Sequence, residues 1–305
     1  MADITVIGGI NIDIEGRPYD VLRREDSNPG RISLSYGGVG RNITENVARL
    51  GGNVAMLSVI GGDHMGLGAR EHLKSLGVDV SKIDVQSEAT SAIYLSILNH
   101  DSDMELAISD MDVVKLIVPE FLEKNADFIL SSKAVALDGN LEKETIEYVS
   151  ERFSEIPLFF DPVSAAKAVR AADVIGAFTC IKPNIMEAEV LLGMEIKTED
   201  DLKLAGQRFI EKGIEKVFIT LNKDGVYYKD KDEEGFIKPG NVKINSATGA
   251  GDSFSAAILM GMISGESVKE IARHGMAAAQ ITMESSHAVS EYMNIDEIER
   301  RIENV

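Results

Sequence analysis

The sequence predicts an α/β fold: a central, mostly parallel β-sheet flanked by helices, with a small β-sheet outside it as a lid, all within one domain over residues 1–305. Three observations lead there. From Val54 onward, short apolar runs alternate with helix-length segments, the rhythm of a parallel sheet covered on both faces. Two stretches, 15–36 and 91–112, break this rhythm with alternating polar and apolar residues around turn signals, the pattern of strands with one wet face. No repeat, low-complexity run or Pro/Gly-rich linker divides the chain, and its 44% apolar content suits one proper core.

The elements follow in order. Ile4 to Ile7 reads as a buried strand leading into G-G-I-N-I-D, where Asn11 and Asp13 either line a cleft at the strand's carboxyl end or form a polar turn. Pro18, S-N-P-G (27–30) and R-I-S-L-S-Y (31–36) give the first lid segment. G-G-V-G-R-N (37–42) then opens a helix ending near Leu50, with Asn42 on its first turn. Val54–Ile60 reads as a strand and Gly66–Leu76 as a helix. Ala92–Leu98 and Leu106–Ile108 flank the turn N-H-D-S-D-M as a hairpin, the second lid segment. Phe128–Leu130 and Ala134–Leu137 read as strands and Leu141–Phe153 as a helix. Leu158–Phe160 is a strand ending at Asp161-Pro162, and Phe178–Ile181 one ending at Lys182-Pro183-Asn184. Val217–Thr220 leads through N-K-D-G to a hairpin partner, Val226–Lys229.

The chemistry concentrates in residues 242–257. A β-type run ending at Ile244 precedes Thr248-Gly249-Ala250-Gly251-Asp252, and a helix is expected from Ser253 to about Ser264. Glycines let a ligand approach the backbone, and the first N–H groups of a helix can bind an anion. Asp252 lies at that anion site as a candidate general base, a combination that suggests phosphoryl transfer to a hydroxyl. The same loop equally suits a plain turn with Asp252 as N-cap. Asn184 and Glu187 form N-x-x-E, which also fits a capping box. Asp138, before Gly139, has the look of a turn former.

Net charge is −19, which argues against a nucleic-acid partner. Cys180, the one cysteine, lies in an apolar run and reads as a buried structural thiol. The amino terminus lacks the regions of a signal peptide, and no apolar run spans a bilayer. A soluble, cytoplasmic protein without membrane contact is the expectation.

T-G-A-G-D, G-G-I-N-I-D, G-G-V-G-R-N and N-x-x-E together resemble the signatures of the ribokinase-like family of sugar and nucleoside kinases. The resemblance implies ATP and Mg²⁺ as cofactors and Asp252 as the base, with the backbone of Gly249, Ala250 and Gly251 as an anion hole. It places Asn11, Asp13, Gly38, Asn42 and Asp138 at the acceptor's sugar. Asn184, Thr220, Asn222, Gly225, Gly249 and Gly251 would meet the nucleotide, and Glu187 would hold metal-bound water. Relatives commonly have Gly at the Asn222 position and Asp at the Ser246 position. The latter helps bind a monovalent cation in the family, so that cation is an open possibility here. The resemblance also implies a lid that closes over the acceptor and pairs two subunits in a homodimer. S-N-P-G, A-I-S-D-M (107–111) and D-P-V-S-A-A-K (161–167) resemble the branch of the family that phosphorylates the 5′-hydroxyl of pseudouridine. That likeness adds Asn28, Asp110 and Lys167 to the nucleoside site. Three alternatives stay open: a kinase acting on ribose, adenosine, inosine or uridine, a dinucleotide-dependent dehydrogenase built on the other glycine loops, and a nucleoside-binding protein without catalysis.

Overall fold

The computed structural model describes residues 2–101, 103–240 and 242–302. Among them, nine strands form one sheet: β1 (Ile4–Ile7), β4 (Val54–Gly61), β5 (Asp79–Gln86), β8 (Ala134–Asp138), β9 (Leu158–Asp161), β10 (Cys180–Ile181), β11 (Lys216–Thr220), β12 (Val226–Lys229) and β13 (Glu234–Ile237). A second sheet holds β2 (Asn11–Pro18), β3 (Gly30–Gly37), β6 (Ala92–Leu98) and β7 (Met104–Asp110). The large sheet runs β13-β12-β11-β10-β9-β8-β1-β4-β5, the small one β3-β2-β6-β7. All large-sheet pairs are parallel except β11–β12 and β12–β13.

Successive strand residues point to opposite faces, so each strand feeds two cores. Ile4, Val6, Met56 and Phe159 pack on one face with Phe254, while Ile7, Leu57, Phe160 and Phe178 pack on the other. The chain leaves β1 toward β4 and β5, then returns to β8 on the other side. Strand order therefore reverses beside β1, which opens a crevice at the carboxyl ends of β1 and β8.

Several expected elements differ. Phe128–Leu130 belongs to a helix, Ala126–Leu130, rather than a strand. The strand expected over 178–181 is only Cys180–Ile181, because a 3₁₀ turn, Ile175–Ala177, leads up to Phe178. No strand forms at 242–244, where Ile244 is solvent-exposed and finds no neighbouring strand. The helix expected from Ser253 starts at Ala250. Asn11 and Asp13 lie within β2, so the small sheet begins before residue 15, and its strands bound both expected lid segments. Ser102, part of the expected turn N-H-D-S-D-M, lies outside the described residues.

Candidate active site

Gly249 caps the helix Ala250–Ser264 in the left-handed region, φ 81°. A Cβ there would come 1.8 Å from the Ala288 carbonyl oxygen, so only glycine fits. The turn brings Asp252 into the first helical turn, among N–H groups without intrahelical acceptors. Asn42 reaches it from the helix Val39–Arg49, its Nδ2 donating to Asp252 Oδ2 at 2.6 Å. Gly38, φ 99°, makes that approach possible, since a Cβ would meet the Gly9 carbonyl oxygen at 2.4 Å. On β2, Asn11 Nδ2 donates to Asp13 Oδ1 at 2.7 Å, and burial pushes the Asp13 carboxyl above its usual range despite that bond and the nearby Arg41.

The position of Asp252 at a helix start suggests a depressed pKa, but the structure gives the opposite. Burial, with the Asp161 carboxylate adding to it, pushes Asp252 up to about 7 against the pull of Asn42, Lys182 and Arg41. Asp161 ends β9, accepts from Ser255 Oγ at 2.7 Å and pairs with Lys182 Nζ at 3.2 Å. Burial alone would lower the Lys182 pKa, but Asp161, Glu187 and Asp252 outweigh it and hold the ammonium charged. A Cβ on Gly251 would lie 3.4 Å from that ammonium, which places a buried positive charge beneath the glycine loop. The sequence alone assigns no role to Lys182 or Asp161. Their signal was available: both are charged residues at carboxyl ends of parallel strands, where such sheets bind ligands.

N-x-x-E forms a true capping box. Glu187 N donates to Asn184 Oδ1 at 2.9 Å, and Glu187 takes Asn184 N at 2.9 Å and Asn184 Nδ2 at 2.7 Å. Burial raises the Glu187 carboxyl. Thr220 bridges to Asn184 as a parallel neighbour. Asn222 takes a left-handed φ of 53°, and Gly225 follows at φ 101°, where a Cβ would strike the Ile237 carbonyl oxygen at 1.9 Å. Asn184, Thr220, Asn222 and Gly225, expected at the nucleotide, therefore lie at or beyond the carboxyl ends of β10 and β11, while Gly249 and Gly251 stand at the start of the helix Ala250–Ser264. Ser246 Oγ accepts from Thr248 N at 3.2 Å and shapes the entry to the loop.

Other expected acceptor contacts are spread more widely. Asp138 is a fully buried strand end that also forms the turn after it: its carboxylate accepts from Asn140 N at 2.8 Å and its carbonyl from Leu141 N at 3.3 Å, while Gly40 N donates to the same carboxylate at 2.9 Å and burial raises its pKa. Lys167 Nζ donates to Asn140 Oδ1 nearby, and burial lowers its ammonium. Asn28 uses its side chain on its own loop, accepting from Arg23 N and donating to the Arg23 and Asp26 carbonyls. Asp110 is exposed at the end of β7. Asp138 thus joins the glycine loops, while Asp110 stays out on the small sheet and Asn28 on the loop between β2 and β3. Cys180 is buried, as its apolar run implied, and burial drives its thiol pKa up.

Among the described residues, no group of three or more His, Cys, Asp or Glu could hold a metal ion, and no helix is long and apolar enough to cross a membrane.

The model of the PfkB family of carbohydrate kinases matches residues 1–293. A pseudouridine kinase of Escherichia coli is 31% identical over 302 residues, 99% of this chain and 96% of that protein. A guanosine-inosine kinase of Exiguobacterium acetylicum is 29% identical, covering 92% and 93% of the two chains. Among solved structures, a carbohydrate kinase from Agrobacterium tumefaciens superposes with a TM-score of 0.88 at 29% identity over 100% of this chain and 98% of its own. A ribokinase from Arabidopsis thaliana, solved with ribose and ATP, superposes at 0.85 with 19% identity, over 99% and 98%.

Proposed function

We propose, on the premise that this chain belongs to the PfkB family of carbohydrate kinases, that it transfers the γ-phosphoryl group of ATP to the 5′-hydroxyl of pseudouridine. The observation that carries the chemistry is Asp252, held by Asn42 at 2.6 Å, at the start of a helix whose glycine cap exposes N–H groups to an anion. Asp252 takes the proton of the attacking hydroxyl, and the first-turn N–H groups with the Lys182 ammonium offset charge on the transferring group. Asp13, beside Asn11, orients the sugar hydroxyls. The choice of pseudouridine rests on the lid segments and on the full-length likeness to a pseudouridine kinase. The guanosine-inosine kinase at 29% identity keeps the other nucleosides in the test.

A metal fits as an ion carried by the nucleotide. Glu187 is buried, and each of its oxygens already takes one hydrogen bond from Asn184, which leaves lone pairs for metal-bound water. Mg²⁺ keeps much of its water shell and asks for no all-protein cage. It supplies charge neutralisation at the phosphates when bound.

The lid leaves apolar side chains uncovered: Ile32 and Leu34 on β3, Met104, Leu106 and Ile108 on β7. We assign this face to the lid of a second copy, as a homodimer. The activity is tested by supplying Mg-ATP with pseudouridine, uridine, inosine, adenosine or ribose. Turnover of pseudouridine at least tenfold above the rest, as kcat/KM, is expected. Equal or better turnover of another acceptor would replace pseudouridine.

A further inference from the structure

We propose that Arg41 is a positioning residue that ties the lid to the base, by holding the end of β3 and fixing which face of the Asn42 amide meets Asp252. The proposal rests on the reading of Asp252 as base.

Arg41 is almost wholly buried, on the helix Val39–Arg49. Its Nη2 donates to the Tyr36 carbonyl at 2.6 Å and its Nε to the Gly37 carbonyl at 3.3 Å, the last two residues of lid strand β3. The same Nη2 donates to Asn42 Oδ1. Nη1 meets Glu45 Oε2 at 2.5 Å, and Glu45 also receives Arg49 Nε at 2.9 Å and lies 3.0 Å from His72 Nε2. The His72 ring lies against Tyr36, centroids 5.3 Å apart. The brace therefore reaches the end of β3 both through its carbonyls and through the Tyr36 ring.

An amide has one accepting and one donating end, and a guanidinium only donates. With Arg41 on Oδ1, Asn42 must turn its Nδ2 outward, and Nδ2 is the atom that meets Asp252. Without that partner the amide can flip and present an oxygen to the carboxylate, which repels it. Lysine is a point donor on a flexible stem, so it cannot serve two carbonyls, an amide and a carboxylate together.

The test is a double-mutant cycle with Mg-ATP and pseudouridine, or whichever nucleoside of the panel the wild type phosphorylates. Arg41→Lys is expected to lower kcat about tenfold or more, with the KM for ATP within about twofold. In an Asp252→Asn background the same change should lower kcat less than about twofold, because Arg41 acts through Asp252. Should Arg41→Lys not fold, Arg41→Met with Glu45→Met removes the buried pair together, and the same cycle is read. An equal fall in both backgrounds, or no fall in either, would overturn the role of Arg41. Wild-type kcat in Asp252→Asn alone would instead overturn the base, and with it the relay.

Discussion

The mouth of the large sheet and the lid are built on opposite terms. At the mouth, Arg41, Glu45, Asp138, Asp161, Lys182 and Glu187 are all under a tenth exposed, and each has a named partner. In the small sheet, β3 and β7 are both exposed on both faces for most of their length. Burial fixes geometry and shifts protonation, which suits the reacting groups. Exposure leaves side chains free to meet a ligand or a second subunit. The difference supports the proposal that chemistry belongs to the mouth and acceptor choice to the small sheet.

The comparison breaks most sharply at Asp252. Asp252→Asn is expected to lower kcat by about 10²–10⁴, the usual scale of general base catalysis, with both substrates still bound. The base must be ionised, so wild-type kcat/KM should fall as pH drops below about 7 and level off above it. A folded variant with near-normal kcat would return the glycine loop to the status of a turn.

Asp13 stands where the two regions meet, on a lid strand but at the mouth. Asp13→Ala should raise the KM for nucleoside about 10–100-fold, the worth of one or two hydrogen bonds to a charged group, and leave the KM for ATP nearly unchanged. Equal rises for both would make Asp13 structural. A smaller effect belongs to the outer lid. Leu34→Asp places a charge on the uncovered apolar face and is expected to turn a dimer into a monomer by sedimentation, with kcat within about threefold of wild type. A wild-type protein that sediments as a monomer would remove the dimer.

Most of the fold was legible because its signals are local. Two-residue alternation marked the lid and apolar runs marked the buried strands. Phe128–Leu130 was misread because a short apolar run fits a strand or a buried helix equally. Val242–Ile244 has the composition of a strand but no strand beside it to pair with. At the site, the glycine loops, Asn42 and Asp252 were legible from spacing. The Lys182–Asp161 pair was not, since only the sheet brings β9 and β10 side by side. The same non-local contact defeated the expectation for Asp252: the helix start is visible in sequence, whereas burial and the Asp161 charge are not, and they win.

That imbalance has a stability consequence. Asp252 rises from an ordinary 3.8 to about 7 in the folded protein, so the folded state binds this proton more tightly than the unfolded state. Stability must then fall as pH climbs from about 4 to about 7 and lose nothing more above that from this group. At pH 8 the ionised carboxylate destabilises the fold by at most about 4 kcal/mol, at 1.36 kcal/mol per unit. Partial solvent access and the loss of the charged bond from Asn42 reduce what a substitution recovers to about 1–2 kcal/mol. Asp252→Asn is therefore expected to melt about 2–3 °C above wild type at pH 8, and level with it near pH 4, where the wild-type carboxyl is neutral in the fold. A variant that melts lower at pH 8 would show that Asp252 is held ionised at little cost, and that burial at the mouth does not set its protonation.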